Sequence, residues 1–125
     1  VEVKLVIPYI SDVRIVDIAR NRYLGSLYEK GVNLFMYYKK VLHSKLLIVD
    51  DSFFILGSSN VDYRSFMHQY EINLLGADYE LIKALKEFYK ESLAGCKPFN
   101  FIEWKSRPSH LRLVERLISF IHTYL

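Results

Sequence analysis

The chain has 125 residues, 51% hydrophobic and 15% aromatic, so it carries enough apolar mass for a sizeable core and falls outside the composition of disordered chains. Seventeen basic against fourteen acidic side chains leave a net charge of +3, compatible with an anionic substrate or membrane surface but too mild to select one. A single cysteine, Cys96, rules out an internal disulfide and suits a reducing compartment, and no uninterrupted apolar run of about 18 residues is present to span a bilayer.

Val1 to Ile7 alternates around Glu2 and Lys4 and reads as a strand. Val1 is not a natural initiator, so the chain is expected to be an excised half of a larger protein. Pro8 ends the strand, Ser11 or Asp12 supplies an N-cap, and Val16, Ala19, Tyr23 and Leu27 keep helical spacing until Gly31 stops the helix. Val32 to Tyr38 forms the next strand. A helix between two strands favours a parallel crossover. The ten tyrosines read first as core and surface packing, with Tyr37, Tyr38 and Lys39-Lys40 as the alternative, a set of rings and charges that could meet a headgroup.

The stretch from His43 to Asn60, HSKLLIVDDSFFILGSSN, concentrates the chemistry. Leu46 to Val49 and Phe53 to Leu56 are β-branched and aromatic runs separated by Asp50-Asp51-Ser52, which predicts a hairpin. Strand alternation sends His43 and Lys45 to one side, and the loop after the second strand can return Ser58 and Asn60 beside them. A nucleophile, a fixed cation and two neutral hydrogen-bonders suit a phosphoryl group, because imidazole can attack phosphorus while the others hold its non-bridging oxygens. Gly57 permits close backbone approach.

Beyond Asn60, Val61 to Phe66 is expected as a loop or short helical turn and Gln69 to Leu75 as a strand carrying Glu71. Asp78 caps a helix with Leu81, Ile82, Leu85, Phe88 and Tyr89 on one face and Gly95 as its stop. Cys96 to Ser106 lacks periodicity and reads as a loop. Pro108 opens a last helix with a stripe of Leu111, Val114, Leu117, Ile118 and Ile121. The elements together predict one α/β domain over residues 1–125, a mixed, largely buried β-sheet sandwiched between helices. His68, His110, His122 and Cys96 lack ligand spacing, so neither a metal nor a cofactor is expected.

The pattern H-x-K-x4-D-x6-G-S-x-N, standing as His43, Lys45, Asp50, Gly57, Ser58 and Asn60, resembles the phospholipase D superfamily without a gap. The likeness continues through Asp62, Arg64 and Ser65 and through Glu71-Ile-Asn73, and is most similar to the C-terminal catalytic domain of the bacterial cardiolipin synthase branch. Gln69 departs from the Asn usual there. Looser similarity runs from Ile7-Pro8 and Ser11-Asp12 to Trp104, Arg107 and Glu115.

The resemblance implies a phospholipase D-like half-domain whose catalytic set is His43, Lys45 and Asp50, with Lys45, Ser58 and Asn60 on the substrate phosphate. Asp50 has an orienting part, since Asp-Asp-Ser is ordinary turn chemistry. Gly57 and Glu71 support the site, Glu71 holding one imidazole nitrogen so that the other is aimed. Asp62 and Arg64 read as a local ion pair. The implied reaction is two-step transfer through a phosphohistidine. The implied acceptor is the glycerol hydroxyl of phosphatidylglycerol, giving cardiolipin, in a protein of the bacterial inner membrane whose cytoplasmic face or periphery this fragment occupies as a soluble piece. The second half of the site comes from another motif-bearing domain or a second copy. Two readings stand beside it: a homodimeric phosphodiesterase or nuclease that binds nucleic acid, and a non-catalytic phosphate- or lipid-binding module.

Overall fold

The computed structural model describes residues 1–39 and 42–121. In chain order the elements are β1 (Val3–Pro8), α1 (Arg14–Glu29), β2 (Val32–Tyr37), β3 (Lys45–Val49), β4 (Phe53–Gly57), α2 (Tyr63–Met67), β5 (Asn73–Gly76), α3 (Tyr79–Leu93), β6 (Cys96–Pro98), α4 (Phe101–Lys105) and α5 (Ser109–Ile121). They gather into two compact units, Val1–Leu42 with Gly95–Leu125, and His43–Ala94. The α/β class holds, but the strands form two three-stranded sheets rather than one, β1-β2-β6 and β3-β4-β5.

In the first unit β1 and β2 run parallel, from Val3 beside Val32 to Pro8 beside Tyr37, with α1 as the crossover. Gly31, at φ 85, turns the chain out of α1 where a side chain would be strained. Capping differs from expectation: Val13 is the N-cap and offers no side-chain acceptor. The Ser11 amide instead donates to the Asp17 carboxylate at 3.0 Å, and the Ser11 hydroxyl accepts from the Val13 amide at 3.3 Å, so these groups brace the loop before the helix. Leu24, Leu34 and Met36 form the buried centre, with Leu5, Ile7, Phe99 and Trp104 packed against it. Each fully buried side chain of that kind contributes about 1.5–3 kcal/mol.

The segment expected as a loop holds two elements. β6 pairs antiparallel with β2, Phe35 beside Pro98 and Tyr37 beside Cys96, and Asn100 caps α4 by accepting from the Glu103 amide at 3.1 Å. A three-residue strand has no period to display, and its partner lies far upstream. The expected stripe of α5 does not form the core: Leu111, Val114 and Leu117 are exposed, while Glu115 is buried. Glu115 accepts from Arg107 Nη2 at 2.8 Å and Nε at 3.0 Å, and the Asn21 carboxamide donates to it from α1. Arg107 also lies 3.8 Å from the Trp104 ring centroid. Paired and hydrogen-bonded in this way, the carboxylate tolerates burial. Lys40, His122 and the Ile121 side chain lie outside the described residues.

The second unit is antiparallel throughout. Lys45 pairs with Gly57 and Val49 with Phe53 in the hairpin, and β5 adds Gly76 beside Phe54 and Asn73 beside Gly57. One sheet face carries Ile48, Phe54 and Leu56 toward α3, where Phe54 and Ile82 are almost fully buried. Asp78 caps α3 as expected, accepting from the Leu81 amide at 2.8 Å. The opposite face keeps Leu47, Val49 and Leu75 exposed. Glu71 precedes β5 rather than lying on it.

Candidate active site

The hairpin ladder decides what can meet. Because Lys45 stands opposite Gly57, and Gly57 opposite Asn73, one end of the sheet receives His43 before β3, Ser58 to Asn60 after β4, and Glu71 with Ile72 before β5. His43, Ser58 and Asn60 are exposed there and Lys45 is half-buried, its Nζ donating to the His43 carbonyl at 3.1 Å. Among the described residues this end gathers the Lys45 ammonium, the His43 imidazole, serine hydroxyls and the Asn60 carboxamide in an open cluster.

Ser58 is held on three sides. Its amide donates to the Ile72 carbonyl at 3.0 Å, its hydroxyl accepts from the Ile72 amide at 3.0 Å, and the same hydroxyl donates to the Glu71 carboxylate. Gly57 is what allows this approach: a Cβ there would lie 2.7 Å from Asn73 Cα and fall on the Ile72 carbonyl. The Asn60 amide donates to the Ser65 hydroxyl at 3.1 Å, and the buried Ser65 takes its own place from Asp62, whose carboxylate accepts the Ser65 amide at 2.8 Å. Asp62 thus braces this loop. The Arg64 side chain, and with it the expected ion pair, lies outside the described residues. Among the described residues the His43 ring and the Asn60 carboxamide take part in no hydrogen bond.

The structure therefore brings His43, Lys45, Ser58, Asn60 and Glu71 to one end, with the Glu71 carboxylate on the Ser58 hydroxyl. Asp50 is not among them. It sits in the turn at the other end of the hairpin, at φ 51, five strand residues and so about 16 Å from Lys45. Sequence reasoning gave no role to Ser59 and Asn73, which tie the loop after β4 to the start of β5: Asn73 Nδ2 donates to the Ser59 hydroxyl at 2.6 Å. The recurrence of Asn73 two residues after Glu71 was the available signal. Among the described residues no group of three or more His, Cys, Asp or Glu side chains gathers as metal ligands.

What this arrangement can do is bind a phosphoryl group. Lys45 offers fixed positive charge, Ser58 and Asn60 offer neutral polar contacts, and the exposed imidazole is free to approach phosphorus.

Residues 1–93 match the family model described as cardiolipin synthase, PLD-like domain. The chain is 32% identical over 122 residues to the major cardiolipin synthase ClsA of Bacillus subtilis, covering 95% of this chain and 25% of that protein. Cardiolipin synthase 2 of Bacillus anthracis is 34% identical, covering 95% and 24%, and cardiolipin synthase 1 of Staphylococcus epidermidis 31%, covering 100% and 26%. The chain spans about a quarter of the length of these curated relatives. Among solved structures, NucT from Helicobacter pylori aligns with a TM-score of 0.48 at 25% identity, over 78% of this chain and 82% of that one.

Proposed function

This chain belongs to the cardiolipin synthase, PLD-like domain family, and from that premise we propose that it is the C-terminal, motif-bearing half of a phosphatidyltransferase that makes cardiolipin from two phosphatidylglycerol molecules. The observation that carries the reading is the meeting of His43, Lys45, Ser58 and Asn60 at one end of the β3-β4-β5 ladder, with Lys45 opposite Gly57.

In the first step a ring nitrogen of His43 forms a bond to phosphorus as the bond from phosphorus to the glycerol oxygen breaks, and a second histidine delivers the proton that glycerol takes away. In the second step the terminal hydroxyl of another phosphatidylglycerol attacks the phosphohistidine. Its proton passes to the second histidine, the phosphorus–nitrogen bond breaks, and His43 is regenerated. Lys45 and Asn60 hold the non-bridging oxygens through both steps, joined by Ser58 once its hydroxyl hydrogen turns from Glu71 to the phosphate. Gly57 keeps the strands close enough to set that cradle, and Glu71 orients it through Ser58 and, in the assembled enzyme, the imidazole. Asp50 serves from the hairpin turn. The second histidine comes from another motif-bearing domain of the same protein or from a second copy of this chain, at the membrane where the lipid lies.

The test is product analysis with the protein that carries this chain. Radiolabelled phosphatidylglycerol should give cardiolipin and glycerol, and a denaturing detergent quench at alkaline pH, where a phosphorus–nitrogen bond survives, should trap an acid-labile phosphatidyl adduct that His43→Ala abolishes. Phosphatidic acid as the sole product would replace transfer by hydrolysis. An adduct surviving His43→Ala would remove His43 as nucleophile.

A further inference from the structure

The parallel strands β1 and β2 end beside each other, and their last residues support an exposed aromatic stack. The Tyr9 and Tyr38 rings lie 4.2 Å apart at 23°, and Lys97 Nζ sits 5.1 Å from the Tyr38 centroid. Their backbone is pinned: the Tyr9 amide donates to the Tyr37 carbonyl at 2.8 Å and the Tyr38 amide to the Gly95 carbonyl at 3.2 Å. Even so, Tyr9 is 49% exposed, Tyr38 45% and the adjoining Ile10 50%. Lys39 is exposed as well. Burial, Tyr9 and Glu103 push the Tyr38 hydroxyl above its ordinary pKa, so that ring stays uncharged near neutral pH.

We propose that the Tyr9–Tyr38–Lys97 stack, with Ile10 and Lys39, docks on the surface of an anionic phospholipid bilayer; the proposal rests on the phospholipid substrate inferred above. Rigid amphipathic rings settle at the headgroup level, Ile10 reaches the apolar side of that boundary, and the two lysines answer the negative lipid charge. Tyr37, the ring expected beside Tyr38, is buried and takes no part. Base stacking fits less well, because Tyr38 is already engaged through its ring by Tyr9 and Lys97, whereas a single-strand platform leaves a ring face open.

Sedimentation of the 125-residue chain with vesicles tests this. Binding should be strong to equimolar phosphatidylglycerol and phosphatidylcholine and weak to phosphatidylcholine alone. Tyr9→Ser with Tyr38→Ser should lower partitioning by about tenfold and Lys97→Gln by about fivefold. Lys97 is exposed, so its variant carries the test even where the double tyrosine variant fails to fold. Unchanged partitioning of Lys97→Gln, equal binding to both vesicles, or preference for a single-stranded oligonucleotide would overturn the docking surface. None of those outcomes touches the His43 adduct, on which the phosphatidyltransferase reading stands separately.

Discussion

Replacing Gly25 by Ala sets two effects against each other in one helix. Gly25 lies inside α1, where Ala is favoured over Gly by about 1 kcal/mol on helix propensity alone. A Cβ at this position, however, would lie far inside van der Waals contact of Trp104 Cη2 and Cζ3. The indole cannot slide away freely: Trp104 Nε1 donates to the Asn21 carbonyl at 2.8 Å, and Arg107 stands 3.8 Å from its ring centroid. Overpacking of this sort costs about 1–3 kcal/mol, and a displaced indole adds about 1–3 kcal/mol for a buried hydrogen bond left unmade. The clash therefore outweighs the propensity gain, with a net destabilisation of about 1–5 kcal/mol. A urea titration followed by the emission of Trp104, the chain's single tryptophan, reads both the stability and the displaced ring. With a denaturant slope of about 1–3 kcal/mol per molar, the midpoint should fall by about 1 M. A raised midpoint with an unchanged native emission maximum would refute the steric argument.

Arg107→Ala should cost about 3–5 kcal/mol in the same titration, because it strands the buried Glu115 carboxylate; adding Glu115→Leu should recover part of the loss, and full additivity of the two would contradict the pairing. Asp50→Val should destabilise by about 1–2 kcal/mol while Asp50→Asn stays near neutral, since a β-branched residue resists φ 51; equal midpoints would show that the turn carries no such strain. Lys45→Ala should reduce phosphatidyl transfer by about 100-fold or more, and wild-type transfer should persist in EDTA because the Lys45 ammonium supplies the charge at the phosphate; metal-reversible loss would refute the second expectation. Burial pushes the Cys96 thiol up, so its alkylation rate should reach half-maximum at a higher pH than that of a free cysteine, and a lower pH would contradict the burial.

Local regularities were the legible part of this chain. β1, α1 and β2 announced themselves through alternation and three-to-four spacing, and the hairpin through two apolar runs around Asp50-Asp51-Ser52, because each pattern is completed within a few residues. β6 was hidden because its three residues make sense only beside β2, and α4 because five residues hold little more than one turn. Glu115 was hidden for a related reason: a lone acid on an apolar stripe looks solvent-facing until Arg107 and Asn21 are placed against it. At the candidate site strand alternation was enough to gather His43, Lys45, Ser58 and Asn60 at one end of the ladder, while Asp50 of the same motif lies in the turn at the other end. The hand-over of Glu71 to Ser58, and the Ser59–Asn73 pair, depend on where β5 starts, which alternation from Gln69 onward places too early.

The chain leaves β2 at Tyr37 and returns to it only at Cys96, so along the sequence the motif-bearing unit is inserted between two strands that pair with each other. During synthesis at about 5–20 residues per second, several seconds separate β2 from the arrival of β6 and Trp104. The β3–β4 hairpin, whose contacts are local, closes within microseconds of emerging, and so precedes completion of the unit that begins the chain. Until β6 arrives, the β2 edge and the apolar surface of Leu24, Leu34 and Met36 stay open, a window in which a nascent chain pairs with the wrong neighbour or recruits a chaperone. Cutting at residue 93, where the family match ends, would make that window permanent.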